Sequence, residues 1–159
     1  MNIGNPYIER AKKQCIWLEN RNEDIFILTE TKASKGCEYI SEYFSKFGYD
    51  LFTLNSGIQY KVNYPISQTK DLGVMIISRQ PILKNTNYFS KKGIFYSRQT
   101  TSTILVNDKT IDVIGLYVPS RDRSEFKIER KKKFINVFLQ YLNRNMNNTI
   151  IIGDLNALE

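Results

Sequence analysis

Apolar residues recur along this chain at two spacings, and the places where the spacing changes mark its elements. Ile8, Ala11, Cys15 and Leu18 fall at helical spacing, with Arg10, Lys12 and Lys13 turned the other way. Asn5 and Pro6 precede them as an N-cap and a first-turn proline, so a helix is expected from there to about Asn22. Asp24 to Thr29 (DIFILT) is an apolar strand closing on Glu30. Cys37, Ile40, Phe44 and Phe47 define a second helix from about Lys35 to Phe47, with Gly48 as its C-cap. Tyr49 to Leu54 reads as a strand, and polar Asn55 to Lys70 as a long loop.

The second half repeats these signals. Leu72 to Ser78 (LGVMIIS) is a strand stopped by Pro81, and Asn85 to Gly93 is a loop. Ile94 to Val106 and Thr110 to Val118 face each other across Asn107-Asp108, which predicts a hairpin. A charged loop at Pro119 to Arg123 leads to a helix over Ser124 to Asn145. Phe134, Val137, Phe138, Tyr141 and Leu142 are its expected buried face. The last stretch, NNTIIIGDLNALE from Asn147 to Glu159, reads as a buried strand delivering Asp154 and Asn156 to a sheet edge. In open α/β sheets ligands bind at that edge. The order helix, strand, helix, several strands, helix, strand predicts an α/β or mixed layered domain.

Composition narrows the chemistry. At 159 residues the chain amounts to a single domain, and its 42% hydrophobic content suits a globular one. No apolar run is long enough to span a bilayer and no secretory h-region opens the sequence, so the expected location is the cytoplasm. Cys15 and Cys37 fall on apolar helical stripes and read as buried, reduced thiols. There is no histidine, which excludes His-based triads and His-ligated zinc within the chain. A net charge of +7 favours an anionic partner, of which nucleic acid is the commonest. Lys127 and Arg130 to Lys133 form a charge run that reads as a solvated helix face.

Two predicted strands end on a carboxylate, Glu30 and Asp154. Carboxylates converging at neighbouring strand ends could hold a hard divalent cation, which takes oxygen ligands and completes its shell with water and substrate phosphate. On spacing alone the plainer reading is that these acids are strand ends meeting water.

Four stretches, in order, resemble the endonuclease/exonuclease/phosphatase superfamily, especially its exonuclease III-like and apurinic endonuclease members. Glu30 in LTETK looks like the metal-binding glutamate of an LQETK motif. Leu72 to Pro81 (LGVMIISRQP) is similar to a GVxxLSRxP strand. Leu116 to Pro119 (LYVP) matches AYVPN, and Ile152 to Asn156 (IGDLN) matches GDxN. The resemblance implies a partial four-layer α/β/β/α sandwich, the DNase I-like fold, over residues 1–159. It implies a phosphodiesterase using Mg2+ or Mn2+, most naturally a DNA endo- or exonuclease. Glu30 would bind the metal, Asp154 would orient or deprotonate the attacking water, Asn156 would hold the scissile phosphate, and Tyr117 would contact phosphate. Asn2 is a weaker match to the first-strand asparagine. Arg121, where the pattern has asparagine, is a possible phosphate contact.

Full members of that superfamily carry a second half with a late aspartate and an Asp-His pair, neither of which this sequence contains. The expectation is therefore an N-terminal portion whose activity alone is weak or absent. A missing C-terminal half, a second copy or a partner chain would cover the exposed sheet. A catalytically dead fragment or split-enzyme subunit that binds nucleic acid or protein is one alternative. A phospholipid or phosphoinositide phosphodiester as substrate is another.

Overall fold

The computed structural model describes residues 1–46, 61–64, 72–89, 95–120, 124–142 and 146–157. Its elements are α1 (Ile8–Glu19), β1 (Ile25–Thr31), α2 (Lys35–Lys46), β2 (Lys61–Asn63), β3 (Gly73–Ser78) and β4 (Ile82–Thr86). A 3-10 turn (Tyr96–Arg98), β5 (Gln99–Val106), β6 (Lys109–Tyr117), α3 (Glu125–Leu142) and β7 (Thr149–Asp154) follow. Two sheets form, ordered β1-β3-β2 and β4-β5-β6-β7. All the pairs are antiparallel except β6–β7, which is parallel and needs α3 as its crossover.

The two-residue period of the strands assigns the layers. Phe26 and Leu28 of β1 and Met75 and Ile77 of β3 point to one face of the first sheet. There they meet Ala11, Cys15 and Leu18 of α1 and Cys37, Ile40 and Phe44 of α2. Their neighbours Ile27, Val74 and Ile76 point the other way and meet Ile104, Val113 and Tyr117 of the second sheet. On the far side of that sheet, Ile114 and Leu116 pack with Phe134 and Phe138 of α3. The result is helices, sheet, sheet, helix: the expected α/β/β/α sandwich. The sheets approach most closely at Gly115, where a Cβ would stand 2.6 Å from Cγ1 of Val74 and 3.3 Å from Cγ2 of Ile27. Part of the inner layer is polar. Asn63 Nδ2 donates to Thr100 Oγ1 at 2.7 Å and Ser102 Oγ at 3.1 Å, tying β2 to β5.

Several expectations need correction. Thr149 to Ile152 is a strand but not a buried one. β7 lies at the end of its sheet, and Ile150, Ile151 and Ile152 are 44%, 41% and 47% exposed. Asn5 does not cap α1; that position falls to Tyr7, and Asn5, at φ 43°, instead donates its N–H to the carbonyl of Glu30. The first residues thus run beside β1, with Asn2 bridging Thr29 in parallel. α1 stops at Glu19, where Asn20 returns its side-chain amide to the Ile16 carbonyl at 2.7 Å. On α3, Val137 is exposed, whereas Phe134 and Phe138 are buried. β2 falls inside an expected loop, and β4 runs from just after Pro81 into the first two residues of another, Asn85 and Thr86; both are short, and β4 is largely exposed. The hairpin is as read: Asn107 and Asp108 take φ of 47° and 61°, the turn that suits twisted strands. Both cysteines are buried and free, and burial pushes the Cys15 thiol up to about 12. The strand expected over Tyr49 to Leu54, the cap at Gly48 and Arg121 lie outside the described residues.

Candidate active site

Glu30 gains its position from a bulge. β1 pairs with β3 through Thr29↔Val74 and Thr31↔Gly73, so Glu30 is the extra residue between them. It sits at φ 60°, in the left-handed region that costs a non-glycine residue about 1–2 kcal/mol. Bulges of this kind re-aim a side chain beside active sites. Here the carboxylate is taken out of the inward-outward alternation, while its backbone carbonyl accepts the Asn5 N–H. The strand continues for one residue beyond Glu30 instead of closing on it.

Tyr117 comes from the other sheet. It is the last residue of β6, its ring lies in the layer between the sheets, and its hydroxyl donates to Glu30 Oε1 at 3.3 Å across 87 residues of sequence. Burial holds the phenol above its ordinary value of 10.0. The negative charge of Glu30 adds to this, the nearby Arg98 guanidinium opposes it, and Asp154 contributes a smaller push in the same direction as Glu30. The hydroxyl therefore stays protonated, and able to donate, throughout the physiological range.

Asp154 stands directly opposite Tyr117 in the β6–β7 register. Its carbonyl accepts the Val118 N–H and its Oδ1 accepts the Asn156 N–H at 3.0 Å. Asn156, at φ 45°, donates Nδ2 to the Val118 carbonyl at 2.7 Å, and Lys131 of α3 donates to its backbone carbonyl at 2.6 Å. The turn after β7 is thus latched to β6 and α3 together. Gly153, just before it, lies against Leu116 so closely that a Cβ would meet that carbonyl oxygen at 1.9 Å. The N-terminal ammonium of Met1, lowered by burial, also feels the Asp154 charge, and donates to the Ile27 carbonyl at 2.7 Å.

Glu30, Tyr117 and Asp154 therefore meet at one end of the sandwich, with Asn156 behind Asp154 and Asn2 beside β1. Asn2 is exposed, and its Oδ1 accepts the Gly4 N–H at 2.9 Å. Arg98 belongs to this group and the sequence reading did not single it out. It is 5% exposed, its guanidinium carbon lies 4.6 Å from the Tyr117 ring centroid, and Nη1 donates to the Tyr117 carbonyl at 3.3 Å. The available signal was an arginine immediately before a strand, Gln99–Val106, that carries no charged residue.

Among the described residues, no group of three or more His, Cys, Asp and Glu side chains is gathered for a metal. What is present is oxygen chemistry, the Glu30 and Asp154 carboxylates at one sheet end; the Asn2 amide oxygen, on the segment bridged to Thr29, accepts the Gly4 N–H. Oxygen donors of this kind suit a hard cation that keeps most of its shell for water and phosphate.

No protein-family model and no curated protein sequence matches the chain. Solved structures do. An AP endonuclease from Archaeoglobus fulgidus is 21% identical with a TM-score of 0.64, over 97% of this chain and 55% of that one. A 3′ phosphatase, NExo, from Neisseria bound to product DNA hairpin is 17% identical with a TM-score of 0.67, over 98% and 56%. Sphingomyelinase C from Streptomyces griseocarneus is 13% identical with a TM-score of 0.65, over 98% and 62%. The fold is DNase I-like. The chain spans about three-fifths of the length of these three structures. Among the described residues, no helix is long and apolar enough to cross a membrane.

Proposed function

We propose that this chain belongs to a phosphodiester hydrolase of the DNase I-like fold, acting on DNA with Mg2+ or Mn2+. One observation carries this reading: the Tyr117 hydroxyl, from one sheet, reaches the Glu30 carboxylate of the other, with Asp154 next to Tyr117 in register. The Tyr117 hydroxyl, donating to Glu30, fixes that carboxylate at the sheet end shared with Asp154, where a bound cation would be needed to admit an anionic phosphoryl group. Asp154, with Oδ1 held by the Asn156 N–H, has its second oxygen to orient an attacking water. Asn156 spends one amide hydrogen on Val118 and keeps the other for a phosphoryl oxygen. Glu30, with Asn2 beside it, would hold the cation, which when bound supplies positive charge to offset that of the phosphoryl oxygens. The net charge of +7 favours a polyanionic strand over a single lipid headgroup. The likeness to a sphingomyelinase is the observation on the side of a lipid phosphodiester.

The test incubates the chain with abasic-site duplex, plasmid and sphingomyelin vesicles, with Mg2+ or with EDTA, beside Asp154→Ala. DNA cleavage lost in EDTA and in the variant supports the proposal. Cleavage insensitive to both is contamination and overturns it. Vesicle hydrolysis alone moves the substrate to lipid. Salt-sensitive DNA binding without cleavage supports a binding portion whose catalysis needs further polypeptide.

A further inference from the structure

The buried stripe of α3 is covered at one end and open at the other. Phe134 is fully enclosed, 5.3 Å centroid to centroid from Phe95 and 5.2 Å from Phe89. One and two turns earlier on the same stripe lie Arg130 and Phe126, and Phe126 is 76% exposed. Between them is a cavity of about 270 Å³ lined by Phe95, Phe126, Glu129, Arg130 and Lys133. It has an aromatic floor in Phe95, an aromatic wall in Phe126 and two cations on its rim. Glu129, the acid in the lining, pairs with Lys132 at 2.9 Å, which offsets its charge.

An exposed phenyl ring beside Arg and Lys side chains is the arrangement that binds an unpaired nucleotide: the base stacks and the cations take its phosphate. The volume lies at the small end of ligand pockets, of order 300 Å³, which suits one base and not a larger ligand.

We propose that this cavity, on the flank of α3 away from β7, is a base-stacking subsite for single-stranded nucleic acid. The proposal rests on the reading of the Glu30–Asp154 site as one for a nucleic acid backbone. It changes the meaning of the charge run on α3: Arg130 and Lys133 become contacts, while Lys132 remains a solvated partner of Glu129.

The test is fluorescence anisotropy with two labelled strands of equal length, oligothymidylate and an abasic sugar-phosphate strand, against the wild type, Phe126→Ala and Phe126→Tyr. The exposure of Phe126 means its truncation should not threaten folding. Phe126→Ala is expected to weaken oligothymidylate binding about tenfold, the range of one lost stacked base. It should leave the abasic strand within about twofold, and Phe126→Tyr should restore binding. An unchanged oligothymidylate affinity, or equal losses on both strands, overturns the subsite and leaves the proposed function standing. A wild type that binds neither strand overturns both.

Discussion

At the scale of single residues, the most unusual feature of the candidate site is a backbone angle. Glu30 occupies φ 60° where a glycine would sit without strain, and its side chain reaches only toward Tyr117 and the sheet end. A fold selected for stability alone has no use for a glutamate there. The consequence can be measured with two substitutions that both delete the carboxylate. Glu30→Gly should be more stable than Glu30→Ala by about 1 kcal/mol, because only glycine relieves the left-handed strain. Urea unfolding midpoints check this, and an alanine variant as stable as the glycine one would remove the argument from strain. Tyr117 shows the complementary case, a side chain whose chemistry is set by its surroundings. Its phenol pKa is raised by burial and then by Glu30, so its contribution to stability is complete below the ordinary value of 10.0 and fades as pH rises through the raised one. Across the neutral range it is a fixed donor.

At the scale of elements, the two sheets are held in register by close approach at Gly115. Gly115→Ala places a methyl 2.6 Å from a buried, stiff Val74. Overpacking of this kind costs about 1–3 kcal/mol. The pair Gly115→Ala with Val74→Ala should lose less than the sum of the two single losses, and strict additivity in a double-mutant cycle would show that the methyl is accommodated elsewhere. The elements that sequence pattern revealed are those whose alternation is decided by one close neighbour. β1, β3 and the β5–β6 hairpin are of this kind, as are α1 and α2 with their apolar stripes. β4 was not legible, because Ile82 to Thr86 is an edge strand with polar residues on both faces. β2 was not, because three residues carry no period. The N-terminal segment misled, because an Asn-Pro pair that could start a helix is used to lay Met1 to Asn5 along β1. Of the candidate site, the positions of Glu30 and Asp154 near strand ends were legible from the pattern, and Tyr117 was singled out only through the resemblance. Arg98 was not legible, since its role depends on a contact with Tyr117 that only the packed sandwich makes.

At the scale of the molecule, the sandwich is open along one side. β7 pairs with β6 and, among the described residues, with nothing on its other edge. Its three isoleucines alternate, so both of its faces are involved. Ile151, opposite Ile114, faces the helix layer, and Ile150 and Ile152 face the layer between the sheets. Ile152 shares a surface cavity with Met1 and Trp17, and Trp17 is itself half-exposed. On α3, Ile135 and Leu139 follow Lys131 at four-residue steps, on the flank that reaches the end of β7, and both are exposed. An apolar surface crossing every layer resembles a cut core more than the scattered apolar residues of an ordinary surface, and a long apolar edge strand is a template for pairing. We propose that another polypeptide surface covers this side in the functional protein. Taken alone, the chain should associate in a concentration-dependent way and bind a hydrophobic dye. Ile151→Lys should shift sedimentation toward monomer with little loss of folding stability, since the side chain is already partly in water. Trp17, the sole tryptophan, should report the same event by a blue shift of its emission on association, absent from the variant. A wild-type chain that sediments as a monomer at all concentrations and binds no dye would mean that the edge is tolerated as it stands, and the proposal of a covering partner would fall.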